Sequence, residues 1–201
     1  KPEYDNIAPE AKADGICDYT NDLGGLATLN DGYEPTESHD TSHGAWHNWN
    51  NRYENGVAKN AWVSYTWDKP VEINSMDIYY FSDHGGIVAP KSASFEYLND
   101  AGEWVVADEA QGLACVEDEY NTVKLANIKT KAIRMTMEPE FMNDGDPAHG
   151  VGVIEWKVYG KYAEDKPETV DKTALDAVIR EAESRAEKDY TSDSWETFAR
   201  V

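Results

Sequence analysis

The stretch from Trp46 to Tyr53 combines aromatic rings with planar hydrogen-bonding side chains. Trp46 and Trp49 alternate with histidine and asparagine residues, and Arg52 follows them. A sugar presents an apolar C–H face beside a rim of hydroxyl groups, so a flat ring can stack on the face while amide or guanidinium groups fix the rim. The stretch predicts a carbohydrate-binding loop. Core packing is the alternative role for each tryptophan, and Trp49 is the better candidate for stacking.

An oxygen-rich tract covers residues 29–40. It contains the turn sequence Asn30-Asp31-Gly32, followed by glutamate, threonine and serine residues. Carboxylates, hydroxyls and turn carbonyls are the hard ligands that Ca²⁺ takes, roughly 6–8 at a time. The spacing does not match an EF-hand loop. The residues alone therefore leave two interpretations open, a calcium site and a solvated acidic turn.

Histidines and cysteines are candidates for other metal chemistry. His39, His43 and His47 recur every four residues, which on a helix would place three imidazoles on one face. A glycine and polar neighbours interrupt that pattern, so we favour a surface loop whose histidines bond to ligand or solvent. Cys17 and Cys115 have no zinc spacing, and the sequence leaves open whether they form a disulfide.

Signatures of catalysis are missing from the sequence. It contains no Gly-x-Ser-x-Gly elbow, no glycine-rich phosphate loop and no cysteine paired with a plausible base. A glycosidase would need two carboxylates near each other, but with 39 acidic residues such a pair is expected by chance. We therefore predict that this chain is not itself an enzyme.

The charge of the whole chain narrows its partners. Among 201 residues, 18 Lys and Arg stand against 39 Asp and Glu, which gives a formal net charge of −21. Nucleic acids and anionic membrane surfaces are bound through clustered cations, so this charge argues against both. No apolar run reaches the roughly 18–20 residues that span a bilayer. We expect a neutral or cationic ligand and no membrane insertion.

Short strands must position these loops. Between Ala61 and Gly160, stretches rich in Val, Ile, Tyr, Trp and Thr alternate with turn residues. In residues 133–137 the apolar side chains occupy every second position, as in a strand with one buried face. The pattern predicts an all-β, antiparallel β-sandwich. The predicted strands are 61–67, 71–81, 92–98, 103–107, 120–125, 131–137 and 151–159, with a turn at Asp68-Lys69-Pro70.

The composition changes at the end of this β-domain, which we assign to residues 1–162. Residues 163–170 are charged and contain one proline and no aromatic ring, which predicts a linker. Thr173 then begins a capping box before apolar residues at helical spacing, and a second helix is predicted from Thr191 or Ser192. We expect a short helical hairpin over 171–201 that is truncated at its end, in a piece of a larger protein.

An ordered set of short motifs runs through residues 3–162. The set comprises Asn6-Ile7-Ala8, Asp31-Gly32, Ala61-Trp62-Val63-Ser64-Tyr65, Ile78-Tyr79-Tyr80-Phe81-Ser82-Asp83, Pro90-Lys91-Ser92, Trp104-Val105-Val106, Tyr120-Asn121-Thr122-Val123, Ile133-Arg134-Met135 and Val153-Ile154-Glu155-Trp156-Lys157-Val158. It resembles the discoidin, or coagulation-factor type C, domain in the form attached to secreted bacterial glycoside hydrolases. The resemblance implies a galactose-binding-like jelly-roll sandwich of about eight strands.

This resemblance also implies a structural Ca²⁺ held between the Asp-Gly turn and the last strand. The implied ligands are the carboxylates of Asp31 and Glu155, the main-chain oxygen of Tyr33, and the hydroxyl of Thr36 or Ser38. The resemblance thus favours the calcium interpretation of the oxygen-rich tract.

The ligand face that the resemblance implies is the loop end of the sandwich. There the loops at 46–53, 83–86 and 142–149 should converge. Related modules carry an Arg just before the proline that follows the second loop, whereas Ala89 precedes Pro90 here, so the sugar preference does not transfer. The residues predicted to bind the glycan are Trp46, Trp49, Arg52, Asp83, His84, Asn143, Asp144 and His149.

The tail resembles the FIVAR module, a small helical hairpin of bacterial cell-surface proteins, to which we assign no chemistry. The matching residues are Leu175, Ile179, Ala182 and the sequence Tyr190-Thr191-Ser192-Asp193-Ser194-Trp195.

These observations together predict a monomeric, non-catalytic carbohydrate-binding module of a secreted, cell-surface glycoside hydrolase. Its expected partners are a neutral glycan and the catalytic domain of the same parent chain. Two alternatives stay open: a protein-interaction or cell-surface adhesion domain, and a structural brace for a catalytic domain. Weak binding suffices for a carbohydrate-binding module, because a tether raises the local concentration of the enzyme at a polysaccharide.

Overall fold

The computed structural model describes residues 3–18, 24–142, 147–163, 179–181 and 191–198. The chain divides into two compact units, Lys1–Ala163 and Glu164–Val201. The division falls one residue after the predicted end of the β-domain. Among the described residues, every strand lies in the first unit.

The described part of the first unit contains eleven strand segments. Short 3₁₀ turns at Ala8–Glu10, Gly25–Thr28, Trp49–Asn51 and Asp108–Ala110 lie between them. The strands are β1 (Asp5–Asn6), β2 (Lys12–Gly15), β3 (Trp46–His47), β4 (Tyr53–Glu54), β5 (Val57–Ala58), β6 (Ala61–Phe81), β7 (Ile87–Val88), β8 (Ser92–Leu98), β9 (Trp104–Val106), β10 (Asn121–Glu138) and β11 (Gly150–Tyr162).

The main sheet follows the order β1-β11-β6-β10-β8-β9, with β2 added to β6 and with β3 and β7 added to β11. Among these strands only the β7–β11 pair is parallel. The first half of β6 pairs with the end of β10, and its second half pairs with the beginning of β10. The predicted all-β, antiparallel sandwich is confirmed.

One predicted turn is wrong, because β6 continues through Asp68-Lys69-Pro70. The ladder to β10 skips residues 67–70, which lie opposite Lys131 alone. Pro70 therefore occupies a bulge, where its missing N–H costs no ladder hydrogen bond and its fixed φ suits an extended chain. Because β6 is continuous, its partner β10 is also a single strand, and it joins the predicted strands 120–125 and 131–137.

Aromatic side chains fill the core of the sandwich. Trp67, Trp156, Tyr65 and Phe95 are fully buried. The rings of Tyr65 and Trp156 stack with 4.3 Å between their centroids, and the Tyr65 hydroxyl donates to the carbonyl of Trp156 at 3.0 Å. The alternation predicted for residues 133–137 is confirmed, since the odd-numbered positions are buried and the even-numbered ones half-buried. This core holds the strand ends from which the three predicted loops project.

The second unit contains one described helix of several residues, α1 (Ser192–Phe198), which begins where the sequence predicts. Thr191 precedes it, and its carbonyl accepts the N–H of Trp195 at 2.9 Å. Residues 179–181 are also helical. The linker and the remainder of the predicted hairpin, with its capping box, lie outside the described residues. No helix of the described chain is long and apolar enough to cross a membrane.

Candidate functional site

Three loops of the first unit meet around Trp49. Trp49 lies in the first loop, just after β3. The second loop is joined to the start of β11, because the N–H of Gly150 donates to the carbonyl of Gly86 at 2.8 Å. A Cβ atom at Gly86 would lie 2.6 Å from Cζ3 of Trp49, and one at Gly150 would lie 3.3 Å from Cε3. Glycine lets both backbones approach the indole. The structure therefore brings Gly86 of the second predicted loop, and Gly150 one residue after the third, against the first loop.

Arg52 covers part of the Trp49 ring. Its Cζ atom lies 3.6 Å from the ring centroid, a distance at which the cation is attracted to the indole face. Its Nη1 donates to the carbonyl of Trp49 at 2.6 Å, and its Nε donates to the carbonyl of Ala148 at 3.1 Å. These bonds hold the guanidinium plane in place. Its other N–H groups have no partner in the described part of the chain.

Buried polar side chains hold the loop that carries Trp49. Asn48 is almost fully buried, its N–H donates to the carbonyl of Val151 at 3.1 Å, and its Oδ1 accepts the N–H of Val151 at 2.9 Å. The Tyr53 hydroxyl accepts the N–H of Ala148 at 2.7 Å, so the carbonyl that receives Arg52 is itself anchored. These bonds tie the Trp49 loop to β11 and to the third loop.

The second loop turns around Asp83. One carboxylate oxygen of Asp83 accepts the N–H groups of Gly85 at 2.9 Å and Ile87 at 2.8 Å, so this side chain shapes the turn. Its other oxygen has no hydrogen-bond partner among the described residues. His84 has a φ of 57°. Its Nδ1 lies 3.0 Å from Nδ1 of His39, which the sequence did not place at this end of the sandwich.

Trp46 is fully buried, so its predicted role in stacking on a glycan is wrong. Its Nε1 donates to the carbonyl of Cys17 at 2.8 Å, and β3 presses it against β11, where it pairs with Val153. The alternative of core packing holds for this residue. The signal in the sequence was its short distance from Trp49, which cannot separate a strand residue from a loop residue.

The third loop is described only in part. His149 is half-buried, and its Nδ1 is buried with no hydrogen-bond partner in the described chain. The carbonyl of the preceding residue, Ala148, accepts the hydrogen bond from Nε of Arg52. Asn143 and Asp144 lie outside the described residues, so their predicted contacts with a glycan stay predictions.

Glu155 lies beneath the oxygen-rich tract and is fully buried. Neither of its carboxylate oxygens has a hydrogen-bond partner within the described chain. Burial, and then the charge of Asp31, raise the pKa of Glu155 to about 8, while two groups oppose the rise: the nearby N–H of Gly32, which falls short of hydrogen-bond geometry, and the ammonium of Lys157. A buried carboxylate without a partner is costly. A cation between Glu155 and Asp31 would remove that cost, so these residues fit a metal ion.

Asp31 is held from two sides. One oxygen accepts the N–H of Tyr33 at 3.0 Å, and the other lies 3.0 Å from Nε2 of His43. The His43 ring stacks on the Tyr33 ring with 3.9 Å between centroids and an angle of 5°. These contacts orient the Asp31 carboxylate, whose negative charge acts on Glu155. His43 therefore belongs to this tract, which the sequence did not predict.

The two candidate hydroxyls differ. Ser38 is fully buried, its Oγ accepts the N–H of Asp118 at 2.8 Å, and its own N–H donates to the Asp118 carboxylate at 2.7 Å. Thr36 is exposed, and its hydroxyl has no partner in the described chain. No group of three or more His, Cys, Asp or Glu side chains among the described residues could hold a metal, so hydroxyl and main-chain oxygens would have to complete a site.

The structure also shows whether the three histidines share one face and whether the two cysteines form a disulfide. His39 pairs with His84, His43 pairs with Asp31, and His47 is buried on β3, so the three imidazoles share no face. Cys17 and Cys115 are both thiols, and the disulfide that the sequence left open is not formed.

No protein-family model matches the sequence, but solved structures share its fold. The module CpGH89CBM32-5 from Clostridium perfringens, in complex with GalNAc-beta-1,3-galactose, has a TM-score of 0.57 at 13% identity over 77% of this chain and 99% of its own. The family 32 carbohydrate-binding module of NanJ from the same organism, in complex with galactose, has a TM-score of 0.55 at 16% identity over 78% and 98%.

A third similar structure is a chitosan-binding module from a Paenibacillus chitosanase/glucanase, with a TM-score of 0.54 at 16% identity over 78% of this chain and 99% of its own. The first unit thus has the galactose-binding-like β-sandwich fold of carbohydrate-binding modules, as the resemblance implied. The FIVAR resemblance of the tail stays a prediction.

Proposed function

We propose that the first unit is a non-catalytic carbohydrate-binding module that holds a neutral glycan at the loop end around Trp49. The observation that carries this proposal is the Arg52 guanidinium, whose Cζ lies 3.6 Å from the centroid of the Trp49 ring and which two main-chain carbonyls fix. Its remaining N–H donors have no partner among the described residues. Similar structures whose ligands are galactose and GalNAc-beta-1,3-galactose support it.

The geometry suggests how a sugar would bind. The free N–H groups of Arg52 would donate to neighbouring hydroxyls, and the free oxygen of Asp83 would accept from another. The uncovered part of the Trp49 ring would meet an apolar C–H face of the sugar. Because these groups are already anchored, they would lose little conformational entropy on binding. Asn143, Asp144 and His149 are proposed to complete the site from the third loop.

The test is a glycan array followed by titration calorimetry with the best glycan. Arg52→Ala should weaken binding at least about tenfold, since a hydrogen bond to a charged group contributes about 1.5–3 kcal/mol. Arg134→Ala is the matched control, because Arg134 also lies over a tryptophan, 4.3 Å from the centroid of Trp104, but is bonded to Glu96 on the sheet. Equal losses in both variants would contradict the proposal.

The salt dependence of binding distinguishes the alternatives. A neutral glycan should bind with nearly the same affinity at low and high salt, whereas an ionic partner should be lost as salt rises. A salt-sensitive protein ligand without any glycan hit would favour the interaction or adhesion domain. Selective binding of chitosan, a cationic glycan, would keep the module but change its ligand class.

We also propose that Asp31, Glu155, the main-chain oxygen of Tyr33 and the Thr36 hydroxyl hold a structural Ca²⁺. The two unpartnered oxygens of buried Glu155 support this proposal. When bound, the ion would neutralise the adjacent carboxylates. Ca²⁺ at 100–1,000 times its Kd should stabilise the fold by about 2–4 kcal/mol. Calorimetric melting after chelation tests this, with Asp31→Ala expected to abolish the response and exposed Asp100→Ala expected to keep it.

The setting of the module is part of the same proposal. We place it in a secreted, bacterial cell-surface glycoside hydrolase, as a monomeric unit tethered to a catalytic domain of the same parent chain. A module of similar structure comes from a family 31 glycoside hydrolase of Clostridium perfringens, which supports the proposed link to a hydrolase. Light scattering of the purified chain tests the monomeric state.

A further inference from the structure

A small hairpin directly follows Arg52, and none of its residues is among the proposed ligands of the glycan or of calcium. Its strands, β4 and β5, pair only with each other in the described part of the chain. A two-stranded hairpin that belongs to no larger sheet is only marginally stable in water. Contacts with the rest of the domain are therefore needed to hold it in place.

The turn and the base of the hairpin are both well defined. Asn55 and Gly56 have φ angles of 52° and 77°, and a positive φ at both central residues is what the type I′ hairpin turn requires. At the base, the N–H of Lys59 donates to the carbonyl of Arg52 at 3.0 Å. The hairpin is thus closed on the backbone of the residue whose guanidinium lies over Trp49.

Tyr53, the first residue of β4, joins the hairpin to the third loop. Its hydroxyl accepts the N–H of Ala148 at 2.7 Å, and the carbonyl of Ala148 accepts Nε of Arg52 at 3.1 Å. Ala148 is fully buried, so removal of the hydroxyl would leave a buried N–H without this partner. The tyrosine therefore reaches the arginine through the two main-chain groups of one buried residue.

The ring of Tyr53 makes a separate contact with the guanidinium. Cζ of Arg52 lies 5.2 Å from the centroid of the Tyr53 ring and 3.6 Å from that of Trp49, and both distances are within the range of about 6 Å in which a cation is attracted to an aromatic ring. Tyr53→Phe removes the hydroxyl and keeps the ring, so this variant tests the hydrogen-bonded link alone.

We propose that Tyr53 is a positioning residue of the glycan site, and that it fixes the guanidinium of Arg52 through Ala148. This inference rests on the proposed glycan site around Trp49. Tyr53 acts on Arg52 and not on the sugar: it holds the guanidinium in the orientation in which the remaining N–H donors meet the sugar hydroxyls. A residue that acts only through a second residue loses its effect when the second is removed.

A double-mutant cycle tests whether Tyr53 acts through Arg52. Calorimetric titration with the best-binding glycan of the array measures the affinity of the wild type, Tyr53→Phe, Arg52→Ala and the double variant. Tyr53→Phe should weaken binding about fivefold, as for the loss of one hydrogen bond, and should add no further loss to Arg52→Ala. Tyr162→Phe is the matched control, because its hydroxyl donates to Glu10 at the other end of β11. Losses that add in the double variant, or an equal loss in the control, would overturn the proposal.

A second measurement needs no glycan, so it separates this proposal from the proposed function. In NMR spectra of the free protein, Tyr53→Phe should speed the exchange of the Arg52 Nε–H with water about fivefold, because its acceptor is less well held. The Nε–H of Arg134, which donates to Glu96 at 3.0 Å, should exchange at the wild-type rate. Unchanged exchange at Arg52 would overturn the proposal, whereas faster exchange without any glycan hit would support the positioning of Arg52 and contradict the glycan site.

Discussion

The loop end around Trp49 and the turn around Asp31 are both completed by β11, but they satisfy their polar groups in opposite ways. At the loop end, Asn48 and Arg52 bond to main-chain groups of the third loop and of β11. At the turn, Glu155 of β11 is buried, and neither of its oxygens has a hydrogen-bond partner in the described part of the chain. The first region anchors its polar side chains on protein atoms, whereas the second leaves a buried carboxyl group that the proposed Ca²⁺ would satisfy.

This difference separates recognition from stability. A preformed face binds a ligand without reordering itself, so its changes should alter affinity and leave the fold intact. A buried carboxylate that lacks a partner costs free energy in the folded state, so its changes should alter stability. The predictions below test that separation.

The largest effect is expected from the two tryptophans that stand three positions apart. Trp46→Ala should destabilise the fold by about 3–5 kcal/mol, because it empties a core position, and denaturant unfolding measures this. Trp49→Ala should leave the free energy of unfolding much closer to wild type but abolish detectable glycan binding, because Arg52 loses its support. A large loss of stability in Trp49→Ala would show that the loop end is part of the core and would remove the separation.

Glu155→Gln should act in opposite directions with and without calcium. With Ca²⁺ present, the variant should lose the stabilisation of about 2–4 kcal/mol expected for the wild type at saturating ion. With a chelator at pH 8, the variant should be more stable than the wild type, because an amide carries no charge into the interior. Thermal unfolding in both buffers measures the two signs. Equal stability of the two proteins in chelator would contradict the proposal that a bound cation offsets the cost of burying the Glu155 charge.

A pH series in chelator gives a smaller effect with a definite sign. The pKa of Glu155 is raised from 4.5 to about 8 on folding. Between these values the folded protein keeps a proton that the unfolded chain has released, so the stabilising contribution is complete below pH 4.5 and is lost as pH rises towards 8. The slope is at most about 1.4 kcal/mol per pH unit. Glu155→Gln should flatten the curve, and a wild-type curve that rises over this window would contradict the assignment.

The sequence predicted those parts of the molecule that depend on local periodicity. β8 has the predicted bounds, 92–98, because alternation of side chains reports a half-buried strand directly. The bulge at residues 67–70 was missed, since a Pro-containing segment indicates a turn equally well, and only pairing with β10 decides. The resemblance, and not periodicity, placed Glu155 near Asp31.

The parts of the site that the sequence missed depend on contacts between distant segments. His39 and His84 meet across 45 positions, and no local pattern links them. Trp46 and Trp49 have similar neighbours in the chain, and their burial differs only because β3 ends between them. Stacking of Arg52 on Trp49 was likewise outside what spacing can report, although both residues were predicted for the site.

The last prediction compares two adjacent glycines in the second loop and tests whether the position of Trp49 matters as well as its presence. Neither Gly85 nor Gly86 has a left-handed backbone, so an alanine at either position meets the same backbone preference. A Cβ at Gly86 would lie 2.6 Å from Cζ3 of Trp49, whereas one at Gly85 would lie 3.5 Å from Oδ1 of Asp83, an ordinary contact.

Gly86→Ala should therefore displace the Trp49 ring, and Arg52 with it, and weaken glycan binding about tenfold, because the free N–H donors no longer meet the same hydroxyls. Gly85→Ala should keep wild-type affinity. Calorimetric titration with the glycan selected on the array, beside a melting curve for each variant, measures both. Equal losses would indicate that loop stiffness and not ring position controls binding, and unchanged binding in Gly86→Ala would separate Trp49 from the glycan site.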